Sequence, residues 1–553
     1  MSKKILIIGG VAGGATAATR LRRLSEDDEI VIFEKGEYIS FANCGLPYYV
    51  GNKITDRDNL LVQTIPGMKD RFNLDVRNFS EVTSIDPKNN QVTVFDSKNN
   101  REYQESFDDL IISTGAKVIV PNIPGLKYAK NVFTLRNMAN MDDIMSYLDN
   151  HSVKTATVIG GGFVGLEMME NLQRRGLKTQ LVEQSNQVMP NLDFEMAQQL
   201  HQEIEKNGVE LYLNNGLKEV TADGQKLVLH NGTELSSDIT ILSIGVTPAS
   251  KLAQDSGISL GIKNSIKVNQ RFQTNFSNIY AIGDVIQTKN FIDNSDTNVP
   301  LASPANRQGR LVADVINDLD VDYGPVQATS IAKVFGPAAA STGMNERTLK
   351  EKNIPYRAIH IHTAAHATYY PDAQPLNLKL LFSDQGKILG AQAVGNQGAD
   401  KRIDVISTAM KLNATAPQLA ELELTYAPPF GVAKDPINVL GYVAQNVLDG
   451  EVKTADWSKV DQLVADKAFI VDVRDDDEYA AGHVENSHLI PLNQIRDRLS
   501  EFPKDQPIYT YCKVGLRGYT ASRILKNNGY DVTNIDGGFT TYYIAKYEPR
   551  HNA

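Results

Sequence analysis

One pattern occurs twice in this chain: an apolar strand-like run breaks into a glycine turn and continues as a helix-like stretch. Ile5-Leu6-Ile7-Ile8 leads into Gly9-Gly10-Val11-Ala12-Gly13-Gly14, and Ala156-Thr157-Val158-Ile159 leads into Gly160-Gly161-Gly162-Phe163-Val164-Gly165. In the second copy Gly160, Gly162 and Gly165 hold the full G-x-G-x-x-G spacing. The first glycine of that spacing permits a tight turn, the second lets backbone approach a pyrophosphate, and the third lets helix pack on strand. The start of the helix adds N–H donors and partial positive charge for the phosphates. Each copy is followed by an apolar run ending in an acid, Glu34 after residues 30–33 and Glu183 after residues 179–182. A carboxylate there can take a ribose hydroxyl. No arginine follows in Gln184-Ser185-Asn186, which favours NADH and leaves NADPH open. In the first copy Val11 stands where the middle glycine would be. Two such units imply two dinucleotide-binding α/β domains.

The rest of the composition narrows the class. At 553 residues the chain has room for roughly 3–4 domains. Its 42% hydrophobic and 22% charged content is that of a globular protein. Two cysteines, Cys44 and Cys512, exclude a disulfide scaffold and any cysteine-ligated zinc or iron–sulfur centre, so no metal is expected. A net charge of −10 argues against nonspecific nucleic-acid binding. No apolar run approaches the ~18 residues of a membrane span. Lys3-Lys4 followed by apolar residues imitates a leader, but Gly9-Gly10 and Gly13-Gly14 interrupt it, so strand, turn and helix fit better. The protein is expected to be cytoplasmic.

Further segments carry a family resemblance. Thr274 to Asp284 follows the T-x5-Y-A-x-G-D pattern, and Ser113-Thr114-Gly115-Ala116 and Gly245-Val246-Thr247-Pro248 stand where two nucleotide domains would be joined. Together they resemble the flavoprotein disulfide reductases over about residues 1–445. The resemblance implies bound FAD, with Asp284 against the ribityl chain. It implies FAD contacts from Gly9, Gly10, Gly13, Gly14, Glu34, Lys35, Val82, Thr114, Gly115, Arg136, Asp284 and Ala302. NAD(P)H contacts would come from Gly160, Gly162, Val164, Gly165, Glu183 and Gly245.

Glutathione-reductase-like members carry a C-x4-C pair, whereas Cys44 has no local partner. A single thiol must cycle through a mixed disulfide, a persulfide or a sulfenic acid. The commonest fate of a lone cysteine is inert burial, but Ser40 to Pro47 reads as a loop entering a helix with Pro47 in its first turn. That placement predicts a lowered thiol pKa. NADH oxidases and peroxidases carry a histidine in the first glycine loop, where this chain has Val11 and Ala12. The run Ser40-Phe41-Ala42-Asn43-Cys44-Gly45-Leu46-Pro47-Tyr48 instead resembles the coenzyme A disulfide reductases, as do Tyr369-Tyr370-Pro371 and Tyr426-Ala427-Pro428-Pro429. In that family a tyrosine from each segment reaches the cysteine of the partner subunit and protonates departing coenzyme A. Tyr426 and Tyr369 are assigned those roles, with Tyr370 the alternative to Tyr369. A homodimer with shared active sites follows from the resemblance. So do coenzyme A contacts from Thr16, Arg20, Arg23, Ser40, Asn43, Arg71, Asn306 and Lys434, although Arg20 and Arg23 also read as solvated helix-face residues.

The last segment has its own signature. An apolar strand ends in Asp472, Glu478-Tyr479 and Gly482-His483-Val484 follow, and residues 508–511 deliver Cys512 into Lys513-Val514-Gly515-Leu516-Arg517-Gly518. This order resembles a rhodanese domain, whose loop turns its N–H groups toward the sulfur as an anion nest. Arg517 adds fixed charge. Its C-x4-R spacing is one residue shorter than the C-x5-R of cysteine phosphatases, which suits a sulfur atom better than a phosphate. His483 reads as a structural hydrogen-bonder.

The expected fold is α/β: two Rossmann-like dinucleotide-binding domains, an α+β dimerisation domain and a C-terminal rhodanese-like α/β domain. The FAD domain is assigned to 1–118 and 246–323, the NAD(P) domain to 119–245, the dimerisation domain to 324–447, a linker to 448–456 and the rhodanese domain to 457–553. The expected activity is FAD-dependent NAD(P)H reduction of coenzyme A disulfide, coenzyme A persulfide or polysulfide through Cys44. Cys512 would carry sulfane sulfur, and coenzyme A would bind as substrate or as a mixed disulfide with Cys44. An oxidase or peroxidase using a Cys44 sulfenic acid, and a redox sensor without turnover, are the alternatives.

Overall fold

The computed structural model describes residues 2–551. The chain divides into two compact units. The first runs to Gln184 and resumes over Asn215–Ala328; the second takes Ser185–Asn214 and the chain from Thr329 onward.

The first unit holds both glycine turns. Its leading sheet is parallel throughout, in the order Ile279–Ala281, Asp109–Ile112, Lys4–Ile8, Glu29–Phe33, Asp75–Arg77. The central strand is almost fully buried, with Ile5, Leu6 and Ile7 inaccessible, because helices cover both faces of such a sheet. Helix α1 (Ala12–Leu24) leaves its carboxyl edge directly after the first turn. Helix α2 (Leu46–Val50) is a single short turn with Pro47 at its start. Four strands of a second sheet repeat the architecture, in the parallel order Lys178–Val182, Thr155–Ile159, Ile239–Leu242, Val132–Thr134. Helix α3 (Phe163–Arg174) follows its glycine turn. The strand–turn–helix reading of both motifs thus holds in the structure.

The second unit contains helix α4 (Phe194–Lys206) and two sheets. One is antiparallel, in the order Ser330–Lys333, Ala338–Gly343, Ile388–Gly395, Pro375–Phe382, Arg357–Ala364. The other is parallel, in the order Lys453–Ala455, Val532–Ile535, Ile508–Tyr511, Phe469–Asp472, His488–Leu489. Its edge strand Lys453–Ala455 lies inside the stretch read as a linker. Helices α5 (Leu516–Asn527) and α6 (Gly538–Ala545) flank this sheet. No helix among the described residues is long and apolar enough to cross a membrane.

A buried charge network ties α4 to both sheets of this unit. The Lys379 ammonium, fully buried, meets Asp193 at 2.9 Å, Glu195 at 2.5 Å and Glu346 at 2.6 Å. His360 bridges onward, with Nε2 at 3.0 Å from Glu195 and Nδ1 at 2.5 Å from Asp536. Burial alone would pull His360 down, but its hydrogen bonds with Asp536 and Glu195 push it up to about 10.

Candidate functional site

The two glycine turns are built alike. Gly9 and Gly160 have φ of +103° and +108°, and a Cβ at either would lie 2.3 Å from a carbonyl oxygen, of Ser113 and Ser243 respectively. Only glycine fits these positions. At Gly162, by contrast, φ is −81° and a Cβ would meet nothing within 4 Å. The protein's own packing does not demand glycine at 162, and the missing side chain leaves room for a ligand to approach the backbone. Each strand-end acid faces its turn: Glu34 accepts from the Gly10 N–H at 3.0 Å, and Glu183 from the Gly161 N–H at 2.7 Å. These turns fit FAD and NAD(P)H.

Around the first turn the structure gathers other expected residues. The left-handed Ser40 (φ +45°) donates its backbone N–H to the Gly10 carbonyl at 2.9 Å. Asn43 donates to the Arg136 carbonyl at 3.3 Å, and the Arg136 guanidinium pairs with Asp284 at 3.1 Å. Asn298 holds the Asp284 carbonyl at 2.9 Å, and the Thr114 hydroxyl donates to the Ala249 carbonyl at 2.9 Å. Val82 is buried, whereas Lys35 and Ala302 are exposed. Gly115 and Gly245 are both left-handed, and Val164 is exposed at the start of α3.

Of the coenzyme A candidates, Thr16 and Asn306 meet directly at 2.8 Å. Arg20 pairs with Asp314 at 2.7 Å, while Arg23 on α1 and Arg71 are exposed. Lys434 is exposed in the second unit.

Cys44 is exposed, in a 3-10 turn spanning Asn43–Gly45 that runs into α2. Its thiol is not lowered, as the sequence led us to expect, but raised. Burial of the sulfur against the protein is the main cause, and the Glu167 carboxylate adds to it, against the pull of Arg136. The five residues of α2 offer little dipole to set against that burial and the carboxylate. Glu167, on α3, accepts a hydrogen bond from the Tyr48 hydroxyl at 3.2 Å. Tyr48 closes the Ser40–Tyr48 run, but Glu167 is not conspicuous in the sequence, since an acid one turn into a helix reads as a solvated face.

In the second unit the hydroxyls of Tyr369 and Tyr426 meet at 2.6 Å. Both rings are exposed, at 74% and 46%, so the pair has no core role. Tyr370 instead packs its ring edge-on to His366 at 5.7 Å. The hydrogen bond with Tyr426 is the main cause raising the Tyr369 hydroxyl.

Cys512 ends the strand Ile508–Tyr511 and is fully buried. Its sulfur accepts from the Gly515 N–H at 3.1 Å, as the loop reading predicts. Its carbonyl accepts from the Phe539 N–H at 2.7 Å at the start of α6. Gly538, at φ +61°, is required there, because a Cβ would lie 2.3 Å from the Cys512 oxygen. Arg517 is held by Asp475 at 3.2 Å and Glu478 at 2.7 Å. His483 stacks on Tyr479 at 3.8 Å and bonds its carbonyl, a structural role.

Comparison with known proteins aligns with this layout. The pyridine nucleotide-disulphide oxidoreductase family matches residues 3–309, that family's dimerisation domain residues 329–435, and the rhodanese-like domain residues 456–545. The coenzyme A disulfide reductase of Staphylococcus epidermidis is 38% identical over 444 residues, which cover 80% of this chain and 100% of that protein. The crystal structure of reduced Bacillus anthracis CoADR-RHD superposes with a TM-score of 0.97 at 49% identity, covering 99% of this chain and 98% of that one. A NAD-dependent persulfide reductase from A. fulgidus superposes at 0.90 with 33% identity, covering 98% of this chain and 100% of that one.

Proposed function

The chain belongs to the pyridine nucleotide-disulphide oxidoreductase family of FAD- and NAD(P)H-dependent enzymes, and from that premise we propose that it reduces coenzyme A disulfide and coenzyme A persulfide through Cys44. We propose further that Cys512 supplies sulfane sulfur to coenzyme A. The observation that carries the reading is the exposed Tyr369–Tyr426 hydroxyl pair, a proton-donating dyad with no packing role.

When bound, FAD relays two electrons from reduced nicotinamide to a disulfide, chemistry that belongs to the cofactor. The residues of this chain do the rest. The Cys44 thiolate attacks a sulfur of coenzyme A disulfide, the S–S bond breaks, and a Cys44–coenzyme A mixed disulfide forms. Tyr426, hydrogen-bonded by Tyr369 and contributed by the second subunit of a homodimer, protonates the departing coenzyme A thiolate. With coenzyme A persulfide the same mixed disulfide forms and hydrosulfide leaves. Two electrons from NAD(P)H reopen the mixed disulfide, restoring the Cys44 thiolate and releasing coenzyme A. Separately, Cys512 takes one sulfur from a polysulfide and passes it to coenzyme A, which becomes the persulfide substrate. The Gly515 N–H aimed at Cys512 supports this role, because a nest of that kind stabilises an anionic sulfur.

Cys44→Ser and Cys512→Ser variants test the scheme by NADH oxidation, with coenzyme A disulfide and with polysulfide plus coenzyme A. Cys44→Ser is expected to abolish both activities. Cys512→Ser is expected to keep the first and lose the second. Polysulfide turnover that survives Cys512→Ser removes the coupled role, and disulfide turnover that survives Cys44→Ser removes the whole reading.

A further inference from the structure

Cys44 and Tyr48 stand four residues apart on one continuous helical path, the Asn43–Gly45 turn and α2, so they share a face. That face meets α3 at Glu167, two residues past the Gly160–Gly165 motif, where Tyr48 donates to Glu167 Oε1 at 3.2 Å. The approach is tight. A Cβ at Gly51, just after α2, would lie 2.0 Å from the Asn171 amide oxygen, and Asn171 itself donates to the Glu167 carbonyl at 2.8 Å. Among the described residues no lysine or arginine pairs with Glu167. The neighbouring Glu170 is buried and is paired with Arg174 at 2.8 Å.

We propose that Glu167 is a positioning residue for the thiol chemistry: through the neutral range its carboxyl and the Cys44 thiol share one negative charge, so that there the carboxyl holds a proton when Cys44 is a thiolate. Two like charges that act on each other cannot both ionise freely, and their titrations couple. Burial is the main cause that pushes the Glu167 carboxyl up to about 7, with Glu170 adding and the Tyr48 hydrogen bond opposing. Glu167 in turn raises Cys44, which also feels Arg136 and Asp284, and raises Tyr48 from its own side of the contact. The proton balance is simple. When the Cys44 disulfide opens to a thiolate, Glu167 takes one proton from solvent; when Cys44 is again tied in a disulfide, Glu167 releases it. Only an O–H bond forms and breaks at Glu167, and both electrons remain those of NAD(P)H.

The proposal rests on Cys44 being the reacting thiol, and its test is read without turnover. The rate at which iodoacetamide labels Cys44 in the reduced holoenzyme is followed from about pH 5 to pH 9 by mass analysis of the Cys44 peptide. The wild-type profile is expected to climb, bend near the ionisation of Glu167, and climb again. Glu167→Gln is expected to give a single titration without the bend and about tenfold faster labelling near pH 8, the change in thiolate fraction for one pKa unit. Glu167→Asp should restore the bend. Tyr48→Phe should keep it but move it upward, because the hydrogen bond to the ionised carboxylate is gone. A Glu167→Gln profile that superposes on the wild type, at equal flavin content, overturns the proposal. If Glu167→Gln does not retain flavin, an unmoved bend in Tyr48→Phe overturns it. Disulfide turnover surviving in Cys44→Ser would instead sink the functional reading, while the labelling profile still decides the role of Glu167.

Discussion

The two cysteines stand in opposite kinds of environment. Cys44 is exposed in a short turn, and the charged groups that act on it, Glu167, Arg136 and Asp284, are side chains. Cys512 is fully buried, and its sulfur and carbonyl are held by the backbone N–H groups of Gly515 and Phe539. Side-chain control can change with protonation state during a reaction, whereas a peptide N–H carries no titratable proton in the working range. The difference suits a thiol that alternates between thiolate and mixed disulfide in one case, and a fixed cradle for a single sulfur atom in the other. The cradle depends on distant support: Asp536, just before Gly537 and Gly538, is anchored through His360 and Glu195 to Lys379.

The comparison breaks most visibly at Lys379. Lys379→Met leaves Asp193, Glu195 and Glu346 buried without their cation, at a cost of about 3–5 kcal/mol. Thermal unfolding should show that loss, with sulfur transfer from polysulfide to cyanide failing at a lower temperature than NADH-dependent disulfide reduction. Equal loss of both would mean that the two thiols do not have separable scaffolds. Tyr426→Phe comes next. Removing a general acid costs about 10²-fold or more in kcat with coenzyme A disulfide, whereas Tyr370→Phe should match the wild type, since that ring only packs on His366.

Gly538→Ala sharpens the contrast from the other side. A side chain at φ +61°, 2.3 Å from the Cys512 oxygen, carries strain of about 1–3 kcal/mol. Sulfur transfer should fall while disulfide turnover holds. The smallest effect is a slope. His360 is raised to about 10 in the folded chain from an ordinary value near 6.5. Its contribution to stability is therefore full below about pH 6.5 and is lost as pH rises through about 10. Melting temperature should decline across that window in the wild type and more gently in His360→Gln; identical slopes would remove His360 from the network's energetics.

Much of this molecule is legible along the chain. The strand Lys4–Ile8 and the helix after Gly9 to Gly14 follow from an apolar run and a glycine turn. The strand ending at Asp472 and the loop from Cys512 are read in the same way, as is the placement of Glu34 and Glu183 at strand ends. The lowered pKa expected for Cys44 was not found, because burial of the sulfur, and after it a carboxylate from another helix, raises the thiol, and neither is visible in the local cue of a helix start. Glu167 gives no such cue, since it becomes part of the site only where Gly51 lets α2 close on Asn171. His360 and Asp536, 176 residues apart, look in sequence like a strand residue and a turn residue.

The amino-acid sequence by itself determined the two glycine turns, the single-thiol character of Cys44 and the rhodanese-like loop of Cys512. Each of those signals is written within about a dozen consecutive residues, where backbone geometry and side-chain spacing act directly. Only the tertiary structure decided which acid faces Cys44, which tyrosine pairs with Tyr426, and that Lys379 and His360 are charged and buried. Those properties depend on distances between residues remote in the chain, and on burial, which fixes protonation and which no local pattern encodes.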